Sequence, residues 1–88
     1  MAERTVTVSN KLGLHARAAA KLVHTAGRYQ ATVEIVHGER QVNAKSILGV
    51  MMLAAGKGTV LKLCAEGADA EQALEALENL FGRRFDEE

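Results

Sequence analysis

The chain has no proline and no tryptophan, one cysteine, and three aromatic residues, Tyr29, Phe81 and Phe85. A lone Cys64 excludes an intrachain disulfide. It suits a reducing cytoplasm and is expected to fill a core position rather than to do chemistry. So few aromatics leave little to stack on bases, and 11 basic residues against 11 acidic ones leave no net charge to hold a polyanion. A nucleic-acid partner is therefore not expected. No apolar run is long enough to cross a bilayer, so no membrane insertion is expected. Met1-Ala2-Glu3-Arg4-Thr5 leads straight into a strand pattern rather than a secretory signal, and a cytoplasmic location is expected. Neither a Cys/His cluster with zinc spacing nor a Walker-type glycine loop occurs, so no metal and no cofactor are expected.

What is present suits one small domain spanning residues 1–88, with 48% hydrophobic residues, mostly Ala, Val and Leu. Residues 3–8 alternate, with Val6 and Val8 on one face, as in a half-buried strand. Residues 16–26 form a helix-favouring run whose buried stripe is expected at Ala19, Ala20, Val23 and Ala26, with Gly27 as a left-handed stop. Residues 31–36 and 40–44 read as a hairpin around His37-Gly38-Glu39. A short helix follows from Ser46 to about Leu53. Residues 59–65 read as a strand apolar on both faces, hence central. Asp69, with Gln72 at capping-box spacing, opens a third helix. That helix is expected to bury Ala70, Ala73, Leu74, Leu77, Leu80 and Phe81. The tail Arg83–Glu88 is expected to fray. The order βαββαβα predicts an α+β, two-layer, open-faced β-sandwich: a four-stranded antiparallel sheet with three helices on one face.

Chemistry concentrates in Gly13-Leu14-His15-Ala16-Arg17. A histidine directly before a helix sits where unpaired backbone N–H groups and the helix dipole attract anions. Its ring nitrogen can attack phosphorus, and the amides of Ala16, Arg17 and Ala18 together with the Arg17 guanidinium can hold the phosphoryl oxygens. The plainer alternative is a histidine that merely ends a helix. Taken alone, the motif does not decide between them.

Ser46 is a good N-cap for the short helix. Ile47, Leu48, Met51 and Met52 cannot all face inward on so short a helix. Some of that surface, Leu48 first, is expected to form an exposed docking patch, and methionine adapts to varied partners. Arg17 and Lys45 would give the patch a basic rim for acidic partners. His24 and His37 read as surface residues.

The pair of motifs Gly13-Leu14-His15-Ala16-Arg17 and Asn43-Ala44-Lys45-Ser46-Ile47-Leu48-Gly49-Val50-Met51, followed by Ala55-Gly56-Lys57-Gly58, resembles the HPr family. These are the histidine-containing phosphocarriers of the bacterial phosphoenolpyruvate-dependent sugar phosphotransferase system. The resemblance covers essentially the whole chain. It implies that enzyme I passes a phosphoryl group to Nδ1 of His15, which hands it to a histidine of an enzyme IIA domain in carbohydrate uptake. It also implies an HPr kinase/phosphorylase as a partner acting on Ser46. A monomeric carrier is expected, with a covalent phosphohistidine intermediate and no stand-alone metabolic activity. The family usually carries proline after the motif arginine. Here Ala18 stands instead and retains an extra N–H, expected to bond a phosphoryl oxygen or water. Two alternatives keep part of this reading. One is a regulatory phosphocarrier of a nitrogen-linked branch. The other is a phosphorylation-controlled binding module, whose mark would be loss of the histidine that is present here.

Overall fold

A computed structural model describes residues 1–87 of the chain. The strands are β1 (Ala2–Thr7), β2 (Thr32–His37), β3 (Arg40–Asn43) and β4 (Val60–Glu66). The helices are α1 (Ala16–Gly27), α2 (Ile47–Met52) and α3 (Ala70–Gly82), followed by a short 3-10 turn over Arg84–Asp86. The sheet order is β1-β4-β2-β3 and every pair is antiparallel. This is the α+β open-faced arrangement expected from the order of elements.

Alternation explains the open face. In β4, Leu61, Leu63 and Ala65 are buried against the helices, while Val60, Lys62 and Glu66 are exposed. The strand is indeed internal to the sheet, but not because both its faces are apolar. Its position follows from hydrogen bonding to β1 and β2, and its outer face meets solvent. Cys64 lies on that outer face, half-buried, and not in the core. The β2–β3 hairpin closes over Gly38-Glu39, with Gly38 at φ +63°, a conformation glycine adopts freely.

The core joins Val6, Val8 and the inner residues of β2 and β4 to one stripe of each long helix. In α3 the buried set is the six residues expected from periodicity. In α1 it is Ala18, Ala19, Leu22 and Ala26; Ala20 is exposed and Val23 only half-buried. A run of small alanines gives no unique phase, so the one large residue that fits inward, Leu22, sets the rotation. Gly27 remains inside the helix. The chain leaves α1 through Arg28 in a right-handed conformation, with Arg28 and Tyr29 N–H bonded to Thr25 and Ala26 carbonyls at 3.2 Å.

Two terminal details also differ from local expectation. Asp69 is the N-cap of α3 but makes no side-chain cap, so no box with Gln72 forms. Its carboxylate instead accepts from Gln30 N–H at 2.9 Å and Ala31 N–H at 2.8 Å, fastening the entry of β2 to α3. The tail does not fray as far as Glu87; Glu88 lies outside the described residues. Phe85 is fully buried and packs edge-on against Phe81, ring centroids 4.8 Å apart. Arg84, Phe85 and Asp86 all have positive φ, near 60°. This costly backbone is held by Phe85 burial and by Lys21, whose Nζ donates to Phe85 O at 2.8 Å.

Candidate phosphoryl site at the start of helix 1

His15 is the N-cap of α1. Its backbone is extended (φ −74°, ψ −179°), and its carbonyl accepts the first helical bond, from Ala19 N–H at 2.8 Å. Its side chain makes no cap. The amides of Ala16, Arg17 and Ala18 find no hydrogen-bond acceptor among the described residues. Three aligned, free N–H groups at a helix start form an anion site.

The loop before the helix is fixed by Gly13. At φ +69° a Cβ there would stand 2.5 Å from Ala55 O, so only glycine lets the two loops touch. Leu14 N–H then donates to Ala55 O at 2.9 Å, and the Leu14 side chain is buried. The motif around His15 is thereby clasped to the loop that contains Gly56-Lys57-Gly58.

Around the ring, Lys11, Arg17, Lys21, Asp86 and Glu87 line an open depression. The Arg17 guanidinium is exposed and makes no hydrogen bond among the described residues. The His15 side chain is 28% exposed. Part of the ring is therefore open to solvent. Its Nε2 hydrogen-bonds the Glu87 carboxylate, and its Nδ1 makes no hydrogen bond among the described residues. Asn10, buried, holds both the loop and the tail: its Nδ2 donates to Gly13 O at 2.7 Å and to Glu87 Oε1 at 3.0 Å. The Asn10 side-chain bond is the main reason the Glu87 carboxyl is held below its ordinary value; desolvation opposes this, and His15 and Arg17 reinforce it.

The remaining candidates fall in two places. Ser46 caps α2: its Oγ accepts from Gly49 N–H at 3.0 Å. Leu48 and Met52 are exposed, Ile47 and Met51 partly so, and Val50 is buried. These four exposed apolar side chains all lie on the six-residue α2. Lys45 does not join the basic group around His15. Its Nζ donates to Tyr29 O at 2.8 Å and lies near Asp69, at the far end of α1. His24 and His37 are exposed. No cluster of three or more His, Cys, Asp or Glu suited to a metal occurs among the described residues.

Asn10, Lys21, Phe85 and Glu87 are the parts of the site that sequence reasoning missed. One signal was available for the tail: Phe85 is a large apolar residue inside Arg83–Glu88, a run otherwise wholly charged, and such a side chain must find a core.

Comparison with known proteins agrees in sequence and in fold. The family described as "PTS HPr component phosphorylation site" matches residues 2–83. The chain is 57% identical over 83 residues to the phosphocarrier protein HPr of Pseudomonas aeruginosa, covering 93% of this chain and 92% of that protein. It is 51% identical over 88 residues to the HPr of Xylella fastidiosa, covering 100% and 99%. A crystal structure of HPr-C-His from Thermoanaerobacter tengcongensis superposes with a TM-score of 0.96 at 45% identity, covering 100% and 99%. A histidine at an open helix tip, carried on this sheet and matched along nearly its whole length, leaves one assignment: the chain belongs to the HPr family of the phosphotransferase system.

Proposed function

We propose that this chain is a phosphoryl carrier in which His15 Nδ1 accepts a phosphoryl group from phosphorylated enzyme I and passes it to an enzyme IIA domain during carbohydrate uptake. The observation that carries the reading is the free Nδ1 of His15 at a helix tip whose first three amides and neighbouring guanidinium have no other partner among the described residues. In the transfer, the Nδ1 lone pair forms a bond to phosphorus. The bond from phosphorus to the donor breaks, and its electron pair stays with the donor. Such a step needs in-line positioning and charge stabilisation more than covalent help. The Ala16, Arg17 and Ala18 amides and the Arg17 guanidinium supply the second. One copy of the chain contains the whole constellation.

Partners would dock on the exposed face of Ile47, Leu48, Met51 and Met52, with Arg17 and Lys11 meeting their acidic groups. Lys45 is tied to Tyr29, so its share in docking is the weaker one. Ser46 is a half-buried hydroxyl at the α2 start, and a regulatory kinase acting there would add charge beside the docking face. Kinase, ATP and phosphosite mapping test that role, and an unmodified Ser46 would remove it.

The carrier reading is tested by mixing the chain with phosphoenolpyruvate and enzyme I and recording phosphorus NMR. An Nδ1-phosphohistidine signal is expected from the wild type and none from His15→Ala, with folding retained. Arg17→Ala is expected to slow acceptance by about one to two orders of magnitude. Acid-labile phosphate on His15→Ala would move the site elsewhere. Supplying sugar-specific or nitrogen-branch enzyme IIA as acceptor then separates the uptake role from the regulatory one.

A further inference from the structure

A hydrogen-bonded chain runs from Asn10 through Glu87 to the Nε2 edge of His15. We propose that Glu87 is a positioning residue, whose carboxylate holds the proton on His15 Nε2 and so presents Nδ1 as the nucleophile. The proposal rests on the carrier reading for its use, but its structural half stands without it.

A carboxylate can only accept, so an Nε2 bonded to it must carry the ring proton. The neutral imidazole then has its lone pair on Nδ1, the nitrogen without a partner among the described residues. The carboxylate is itself aimed. Its other oxygen accepts from Asn10 Nδ2, and Asn10 is buried and anchored to Gly13 O. The backbone that delivers Glu87 is pinned two residues earlier by the burial of Phe85 and by Lys21 on Phe85 O. The Glu87 side chain is 17% exposed, so this bond is sheltered from competing water.

The same bond serves the transfer. When Nδ1 bonds to phosphorus, the ring gains positive charge while Nε2 keeps its proton, so no proton has to move. Glu87 faces that charge at Nε2. When the phosphoryl group leaves, the electron pair of the N–P bond returns to Nδ1 and the ring is again neutral with the proton still on Nε2. This is the logic of a carboxylate that orients a catalytic histidine, applied here to a ring that is itself the nucleophile.

The test uses the full chain and two variants, Glu87→Ala and Glu87→Gln, both of which keep Phe85 and Lys21. Nitrogen NMR of the His15 ring in the unphosphorylated protein should show a protonated Nε2 and a bare Nδ1 in the wild type. In Glu87→Ala both signals should move toward those of a free imidazole exchanging between tautomers. Glu87→Gln has one accepting oxygen for two donors, His15 Nε2 and Asn10 Nδ2, so the wild-type ring pattern should return only in part. Single-turnover acceptance from phosphorylated enzyme I should fall by about tenfold in Glu87→Ala at saturating donor, with little change in KM, and recover in part in Glu87→Gln. Ring signals in Glu87→Ala identical to wild type would overturn the proposal, whether or not the rate changed. A wild type that is never phosphorylated would overturn the carrier reading, whereas the ring measurement would still judge Glu87.

Discussion

The first residues of α1 and α2 solve one problem in opposite ways. Both helices begin after an extended residue, His15 in one case and Ser46 in the other, and each carbonyl accepts the first helical bond, from Ala19 and Val50 N–H. At α2 the Ser46 hydroxyl also accepts from Gly49 N–H. At α1 nothing in the side chain of His15 turns back, and three amides stay open. One tip is closed by its own side chain and the other is left open, although both cap residues are extended. What differs is the residue at the cap and what the rest of the fold does to it. The His15 ring, which caps nothing in its own helix, is hydrogen-bonded to Glu87, a residue from the far end of the chain.

Substitutions can break that contrast or sharpen it. The largest effect is expected from Phe85→Ala, which empties the anchor beneath the α1 tip. It should cost about 3–5 kcal/mol in urea unfolding and free Glu87 from His15. Exchanging caps comes next. His15→Ser should be more stable than His15→Ala by about 1 kcal/mol, because a hydroxyl can close the open tip, while neither accepts a phosphoryl group. Ser46→Ala should lose about 1 kcal/mol with His15 phosphorylation unchanged. If His15→Ser and His15→Ala melt together, the α1 tip is not an uncapped version of the α2 tip.

A third helix start adds a pH dependence. The Asp69 carboxyl is held below its ordinary value of 3.8, chiefly by the Gln30 N–H, against a desolvation that raises it. A carboxyl lowered in the folded state contributes stability that is present in full above its unfolded value and is lost as pH falls through the lowered folded value. Asp69→Asn should therefore narrow the difference between urea midpoints measured at about pH 7 and about pH 3. An unchanged difference would mean that the Gln30 and Ala31 bonds do not couple to folding. The smallest effect is expected at position 18. Ala18→Pro removes one of the three open amides of α1, and the phosphohistidine should hydrolyse at a measurably different rate; identical rates would show that this N–H does not touch the phosphoryl group.

The fold was largely legible because its information is local and periodic. The alternation of Leu61, Leu63 and Ala65, and the spacing of Ala70, Ala73, Leu74, Leu77, Leu80 and Phe81, each name one buried face. The phase of α1 was not legible, since alanines at 18, 19 and 20 fit inward equally well until Leu22 chooses. The caps divide along the same line. Ser46 bonds three residues ahead, within reach of any sequence pattern. Asp69 has the same kind of side chain but finds Gln30 and Ala31 amides, 39 and 38 residues away, in better position than its own helix.

His15, its helix and the open amides are written in consecutive residues, because a helix start and its free N–H groups are a short-range consequence of which residues favour helix and which one precedes them. The partner of the histidine ring is not. Glu87 lies 72 residues from His15 and sits in a charged segment that reads as loose tail. The packing of Phe85 against Phe81, with Lys21 on Phe85 O and Asn10 on the carboxylate itself, brings Glu87 to Nε2. Burial of an apolar side chain depends on the whole core being assembled, and no stretch of neighbouring residues encodes it alone.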